Sequence, residues 1–338
     1  MGLGGFLGAV WQVELVRMVV LAAVVFTFLA VGGPLFLVLA ERKISAWIQA
    51  RVGPKHVGPH GLLQTVADTL KLLYKENIVP HRADVVLFST APILVAVAAL
   101  LDWVVIPFAP GWVVRDLNVG ILYFAAVSSL TVIGILTGGW ASNNKYSLLG
   151  GLRSAAQMVS YELPLAFSLL LVATLTGTLS TVRIVEAQPY PAYLYPSVAV
   201  AAVVFLVAAT AEANRIPFDL PEAEAELVAG YFSEYTPMRF ALFQLGEYGS
   251  LLASSALFTT LFLGGWKGPF PLPWLGPVGN GLVWFLLKTY AVVFFLMWVR
   301  WTYPRFRIDQ LLGLSWKVLL PISMMNLLVA GWLVVVVR

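Results

Sequence analysis

Residues 212–235 read E-A-N-R-I-P-F-D-L-P-E-A-E-A-E-L-V-A-G-Y-F-S-E-Y. The segment holds six of the chain's 17 acidic residues, Glu212, Asp219, Glu222, Glu224, Glu226 and Glu234, with Arg215 as the one cation among them. Strongly apolar runs flank it on both sides. A carboxylate at the edge of hydrocarbon is costly unless it is paired or protonated. Part of the cluster has a local explanation. Pro217 ends the preceding helix, because it has no N–H and clashes with the turn before it. Asp219 would then cap a new helix whose first turns carry Pro221, Glu222 and Glu224, with acids at the positive end of the dipole. That accounts for one or two acids, not six. The rest point to a proton-exchanging or cation-attracting site at a membrane–water boundary.

Working outward, the 338-residue chain is 60% hydrophobic and 11% charged, where a soluble domain averages about 25% charged. A spanning helix needs about 20 apolar residues. Eight runs qualify, near 17–40, 85–107, 119–140, 157–177, 196–213, 238–263, 282–300 and 316–337. The expected fold is an all-α integral membrane protein, one polytopic domain over residues 1–338. Gly32-Gly33-Pro34 predicts a kink in the first span. That run is too long for a signal-peptide core and is followed by Arg42 and Lys43, so it reads as a retained helix.

Basic residues set the orientation. Fifteen of the 21 cations fall on the side reached after the first span. That side is inward, both termini face out, and loops 41–84, 141–156, 212–237 and 300–315 project inward together. Loop 41–84 carries paired Gly-Pro turns in R-V-G-P-K-H-V-G-P-H-G (Arg51 to Gly61). After it, Leu62, Leu63, Val66, Leu70 and Leu73 fall at helical spacing, which predicts an amphipathic helix lying in the interface.

Several chemistries are excluded. The chain has no cysteine, so it holds neither a disulfide nor a thiolate-ligated iron–sulfur cluster. The scattered positive charge does not suit a nucleic-acid partner. No dinucleotide fingerprint or phosphate loop is complete. Gly58-Pro59 between His56 and His60 keeps the two off one helix face, so no metal site is read there. What remains are ionisable residues inside spans: Glu162, Glu212, Glu247 and Lys288. Such residues face a bundle interior and mark ion or proton paths.

The blocks E-R-K (Glu41–Lys43), R-V-G-P-x-x-V-G-P-x-G-L-L-Q (Arg51–Gln64), A-D-x-x-K (Ala67–Lys71), G-W-A-S-N-N-K-Y-S-L-L-G-G-L-R-S (Gly139–Ser154), S-Y-E (Ser160–Glu162), A-E-A-N-R-I-P-F-D-L-P-E-A-E-A-E-L (Ala211–Leu227), G-Y-x-x-E-Y (Gly230–Tyr235) and G-E-Y (Gly246–Tyr248) occur in order along the chain. Together they resemble the quinone-chamber membrane subunit of respiratory complex I, the proton-pumping NADH:quinone oxidoreductase. The resemblance implies about eight spanning helices plus interfacial ones in an energy-transducing inner membrane. It implies a quinone tunnel whose membrane-proximal part is lined by Glu41, Arg42, Arg51, Asp68, Lys71, Phe218, Tyr231 and Tyr235. It implies an acidic coupling loop of Arg215, Asp219, Glu222, Glu224, Glu226 and Glu234, in which Arg215 and Asp219 hold the loop rather than exchange protons. It further implies that Glu162, Glu212 and Glu247 link the chamber to the proton-translocating membrane arm; with Lys288, which its place inside a span marks, they form the expected proton path.

No cofactor is then expected on this chain. Quinone, as ubiquinone or menaquinone, is the substrate, while NADH, FMN and the iron–sulfur clusters belong to partner subunits. Those partners are hydrophilic quinone-site and iron–sulfur subunits, other membrane-arm subunits, and lipid. Three departures stand out: Ala225 where the family commonly has Gln, Ser129 where some members carry a carboxylate, and Lys55-His56 in place of the usual Asn-Arg. The homologous membrane subunit of an energy-converting hydrogenase, and a self-contained carboxylate-lined cation transporter, remain as alternatives. A transporter would show an inverted repeat or paired broken helices, and neither is visible.

Overall fold

The computed structural model describes residues 14–27, 32–188, 196–222, 224–270 and 274–337. Among them the chain is helical, with no strand. In chain order the helices are α1 (Glu14–Val24), α2 (Gly32–Ile48), α3 (Gln64–Tyr74), α4 (Val85–Leu101), α5 (Gly120–Ser128), α6 (Leu130–Ala141) and α7 (Lys145–Thr176). They continue as α8 (Thr181–Ala187), α9 (Pro196–Glu212), α10 (Glu224–Leu227), α11 (Met238–Phe262), α12 (Gly276–Thr302), α13 (Ile308–Leu314) and α14 (Leu320–Val337). Hydrocarbon offers the backbone no water, and a helix satisfies its own amides, so apolar runs of this length become helices.

Among the described residues, six stretches are long and apolar enough to cross a membrane: Val16–Ile48, Val85–Val105, Gly120–Ala141, Lys145–Thr176, Gly276–Thr302 and Ile308–Val336. The other two expected spans are special. Helix α9 is apolar but only 17 residues long. Helix α11 has 25 residues, but Glu247 and its Gly, Ser and Thr residues dilute its apolar character. Every residue of α11 from Leu251 to Phe262 is buried. Enclosed by protein rather than lipid, it does not need a uniformly apolar surface. Helices α1 and α2 both belong to the first span, and the kink expected at Gly32-Gly33-Pro34 adjoins residues that lie outside the described ones.

Small residues set the helix spacing, as they do where lipid provides no hydrophobic drive for association. Helix α4 is wedged between α6 and α11. A Cβ on Gly134 would lie 2.5 Å from one Val95 methyl, and a Cβ on Gly246 would lie 2.5 Å from the other. Helix α7 runs through Pro164, which has no N–H to bond the Ser160 carbonyl. The Ser315 hydroxyl donates to that carbonyl at 2.6 Å instead, and the Tyr161 hydroxyl donates to Leu311 O at 2.9 Å. These two bonds tie α7 to α13 and to the turn that follows it. Glu162 therefore sits near the middle of a 32-residue helix, not one turn from its start as the boundary at 157 predicts. The helix extends back because Asn144 caps it, accepting from Tyr146 N at 2.9 Å.

The expected amphipathic helix forms as α3. Leu62, Leu63, Val66, Leu70 and Leu73 are all between 48% and 57% exposed, so its apolar face is turned away from the bundle, as an interfacial helix requires.

Candidate functional site

Where α9 ends, the chain folds back into the bundle. Gln157 of α7 reaches Ala211 O at 2.7 Å, Phe218 O at 2.8 Å and Asn214 Oδ1 at 3.2 Å. The Ile216–Pro217 peptide is cis. Phe218 packs between Tyr161 and Phe306, with ring centroids 5.4 and 5.6 Å away. Gly230 has φ +55°, and a Cβ there would lie 1.6 Å from Pro221 O. A Cβ on Gly150 of α7 would lie 2.7 Å from Tyr231 N. Glycine at both positions lets the loop lie flat on α7. Tyr231, Phe232 and Tyr235 then lock against Phe88 and Phe243, and Tyr235 stacks on Phe88 at 4.1 Å.

This loop carries Arg215 into a buried ion cluster. Arg215 is 6% exposed and Glu41 5%. Arg215 Nη1 donates to Glu41 Oε2 at 2.8 Å. Its Nε lies 2.6 Å from Glu247 Oε1, a charge contact rather than an aligned hydrogen bond. Its guanidinium lies over the Tyr248 ring at 4.0 Å, and the Tyr248 hydroxyl donates to the same Glu41 oxygen at 2.8 Å. The other Glu41 oxygen pairs with Arg300. Two carboxylates and two guanidiniums thus alternate, drawn from α2, the loop, α11 and α12. Their charges cancel, as a low-dielectric site demands. Burial opposes the charge on Arg215, but Glu247, Tyr248 and Glu222 outweigh it and hold the guanidinium above its ordinary value.

The acidic loop divides beyond that point. Asp219 Oδ2 pairs with Arg305 at 2.8 Å. Burial raises the Asp219 carboxyl, and Arg305 and Arg215 offset this only in part. Glu222 is half-buried. Its Oε1 has no partner, and burial, then Glu247 and Asp219, push its carboxyl well above the usual range. Glu226 is exposed and pairs with Arg153 at 2.5 Å. Glu234 accepts from Asn144 at 2.6 Å. The Glu224 side chain lies outside the described residues.

Two expectations change here. Asp219 does not cap a helix, because residues 220–222 are not helical and the helix described beyond them, α10, has four residues. Glu222 lies outside that helix with one oxygen buried, while Glu226 is exposed. Arg215, expected to hold the loop, pairs with Glu41 of α2 and Glu247 of α11. Lys288 is also not among the carboxylates. It donates to the carbonyls of Leu263 and Gly265 at 2.7 and 3.0 Å, and to that of Lys267, where the chain leaves α11. That is the end opposite Glu247, roughly 20–25 Å away at 1.5 Å per residue.

The residues expected on a tunnel wall also separate. Phe218, Tyr231 and Tyr235 are packing residues at 4%, 2% and 5% exposure. Glu41 belongs to the ion cluster. Arg42 pairs with Asp68 at 2.5 Å, joining α2 to α3 at the surface. Arg51 bonds Gln49 at 2.6 Å, and Lys71 is exposed. Beside this surface runs an apolar groove of about 480 Å³ between α2 and α12. Phe36, Leu37, Ala40 and Ile44 line one wall, and Tyr290, Val293, Phe294 and Met297 the other. Glu41 follows the lining residue Ala40 on α2, and Arg300 lies one turn beyond Met297 on α12.

Glu212, the last residue of α9, faces a second polar pocket together with Asp102, Ser128, Thr131, Ser250 and Ser254. Glu162 of α7 lies within electrostatic reach of it. Four residues of these two sites were missed in the sequence: Arg300, Arg305, Tyr248 and Asp102. Charge balance could have flagged the arginines, since one Arg215 cannot neutralise six acids. Asp102 was legible. It is an acid inside the expected span 85–107, the same signal that singled out Glu162 and Glu247.

A profile of the NADH dehydrogenase family matches residues 19–331. The chain is 49% identical over 331 residues to a subunit of the NADH-quinone oxidoreductase of Paramagnetospirillum magneticum, covering 96% of this chain and 95% of that one. It is 50% identical over 297 residues to the subunit of the same name from Rickettsia typhi, with 88% and 87% coverage. With that of Geobacillus kaustophilus it shares 51% identity over 312 residues, with 92% and 91% coverage.

Proposed function

The chain belongs to the NADH dehydrogenase family, and from that premise we propose how it works. It is a multi-pass membrane subunit of an NADH-quinone oxidoreductase in the bacterial inner membrane. In our reading its partners are the hydrophilic quinone-site and iron–sulfur subunits, which carry FMN and the clusters and oxidise NADH, together with other membrane-arm subunits. The apolar groove between α2 and α12 takes the tail of the quinone from the lipid. The polar surface at its inward end, with Arg42, Arg51, Asp68 and Lys71, faces the head group and the partner that reduces it. A site of this kind needs an apolar slot and a few fixed polar groups.

The coupling runs through Arg215. Quinone reduced by two electrons takes up two protons, and negative charge develops at the inward end of the groove. That charge competes with Glu41 for Arg300 and, through Glu41, for Arg215. Any drift of Arg215 toward Glu41 leaves Glu247 less compensated and so readier to take a proton. Glu212, three residues from Arg215 on the same segment, feels the same change. The observation that carries this reading is one guanidinium held between Glu41 beside the groove and Glu247 behind it. The test uses Glu212→Gln and Glu247→Gln in the intact complex, reconstituted in vesicles. Both should lower the number of protons moved per NADH oxidised, with assembly kept because the amide preserves size and polarity. Normal pumping and turnover in both variants would reduce these glutamates to helix-to-helix hydrogen bonds.

A further inference from the structure

We propose that Asp102 is a proton-holding residue of this subunit and exchanges one proton with Glu212 through water in the pocket they share. Asp102 follows α4, at the start of a short 3-10 turn (Asp102–Val105). It is 1% exposed, and its Oδ1 has no hydrogen-bond partner. Glu212 comes to the same pocket from α9, and Ser128, Thr131, Ser250 and Ser254 complete the polar wall. The space is about 20 Å³, and a water needs about 10–15 Å³ with two to four polar partners. Size and lining both suit water.

The wall is rich in acceptors and poor in donors. Thr131 spends its hydroxyl proton on Ser128 O at 2.7 Å, and Ser254 spends its own on Leu251 O at 3.1 Å. Ser128 is divided between Ala125 O at 3.1 Å and the Glu212 carboxyl. Among the described residues no cation lines the pocket, and Arg215, the nearest in sequence to Glu212, is committed to Glu41 and Glu247. The other titratable groups facing the pair are Tyr123 of α5, beside Asp102, and Glu162 of α7, beside Glu212. Neither supplies positive charge. Two carboxylates that share a buried site without a cation cannot both ionise, so the pair keeps at least one proton and titrates as a unit. When Asp102 Oδ1 releases that proton to a pocket water, the water passes a proton to Glu212, and the charge of the pair is unchanged. No electron is involved.

The proposal rests on the reading of Glu212 as a proton-exchanging group, and the test separates the two. The assembled complex is reconstituted in vesicles, and redox-induced infrared difference spectra are recorded in H2O and D2O. The proton-to-NADH ratio is measured on the same samples and normalised to activity with a cluster-level electron acceptor. The wild type should show a protonated-carboxyl band that shifts in D2O. Asp102→Asn should lose that band and lower the ratio. If Asp102→Asn does not assemble, Ser250→Val is used instead. It fills the pocket without touching a carboxylate, and should abolish the D2O shift and lower the ratio. Retention of both band and ratio in the assembled variant, while Glu212→Gln loses the ratio, overturns the role of Asp102 alone. An unchanged ratio in Glu212→Gln overturns the broader reading and this one with it.

Discussion

The two buried acidic sites of this subunit solve one electrostatic problem in opposite ways. Around Arg215, two carboxylates meet two guanidiniums and a tyrosine hydroxyl. Around Glu212, two carboxylates meet hydroxyls and a space of water size, and among the described residues no cation lines it. Both lie in surroundings where an unbalanced charge is expensive. The first balances its charge with arginine, which is not deprotonated in proteins, so a carboxylate there gains reason to take a proton only when Arg215 moves away from it. The second has no fixed cation, so a proton must supply the balance. A proton, unlike an arginine, can leave. In our proposal the contrast separates a device that transmits position from one that stores a proton, although both are built from carboxylates.

Removing the central cation should do most to break the contrast. Arg215→Met leaves Glu247 without a cation and Glu41 with Arg300 alone. Loss of one partner from a buried pair costs about 3–5 kcal/mol, so little assembled complex should remain on native gels of solubilised membranes. Arg215→Lys should rescue only part of it, since an ammonium lacks the fork that reaches both carboxylates. Full assembly of the Met variant would mean that the cluster does not need its charge balanced.

A smaller loss should follow from Tyr248→Phe. The ring stays under Arg215, but Glu41 loses one of three donors. A hydrogen bond to a charged group is worth about 1.5–3 kcal/mol, and the two remaining guanidiniums put this one at the low end. The Tm of the detergent-solubilised complex should fall while its assembly stays intact. No change in Tm would place the whole weight of the cluster on its arginines.

Glu222 stands between the two regimes, close to Arg215 but also to Glu247 and Asp219. Its carboxyl is raised in the folded state, chiefly by burial, above the unfolded value of about 4.3. Its stabilising contribution is therefore complete below that pH and is lost as pH rises through the folded value. Glu222→Gln should gain Tm relative to wild type as pH rises over that window. A difference that is flat with pH would show that Glu222 is not raised.

The smallest effect belongs to Asp68 in solvent. Burial works against its charge, but hydrogen bonds from Arg42 and Gln64 and the charges of Arg42 and Lys71 leave it below its ordinary value. The sign is then reversed: its stability is present above the unfolded value of about 3.9 and is lost as pH falls through the folded one. Because the pair with Arg42 is exposed, Asp68→Asn should cost under about 1 kcal/mol, and high salt should erase the difference. A larger, salt-resistant loss would mean that a partner subunit buries this surface.

The sequence by itself determined the membrane-spanning helical class, the amphipathic helix α3 and most of the acids inside the spans, because each depends on local composition or spacing. Apolar run length, helical periodicity and an acid inside hydrocarbon are all readable one segment at a time. The tertiary structure alone decided which charges meet. Arg215 and Glu41 are 174 residues apart, and Tyr248 and Glu41 are 207 apart. No spacing rule connects them, since their meeting depends on α9 ending early and its loop folding back over Gly150 and Gly230. The same packing took Lys288 away from the carboxylates and buried one oxygen of Glu222 while leaving Glu226 exposed. It also turned Asp102, one more acid in an apolar run, into the neighbour of Glu212. Charge pairing in a low-dielectric interior is decided over a few ångströms, and only the folded chain sets distances that short.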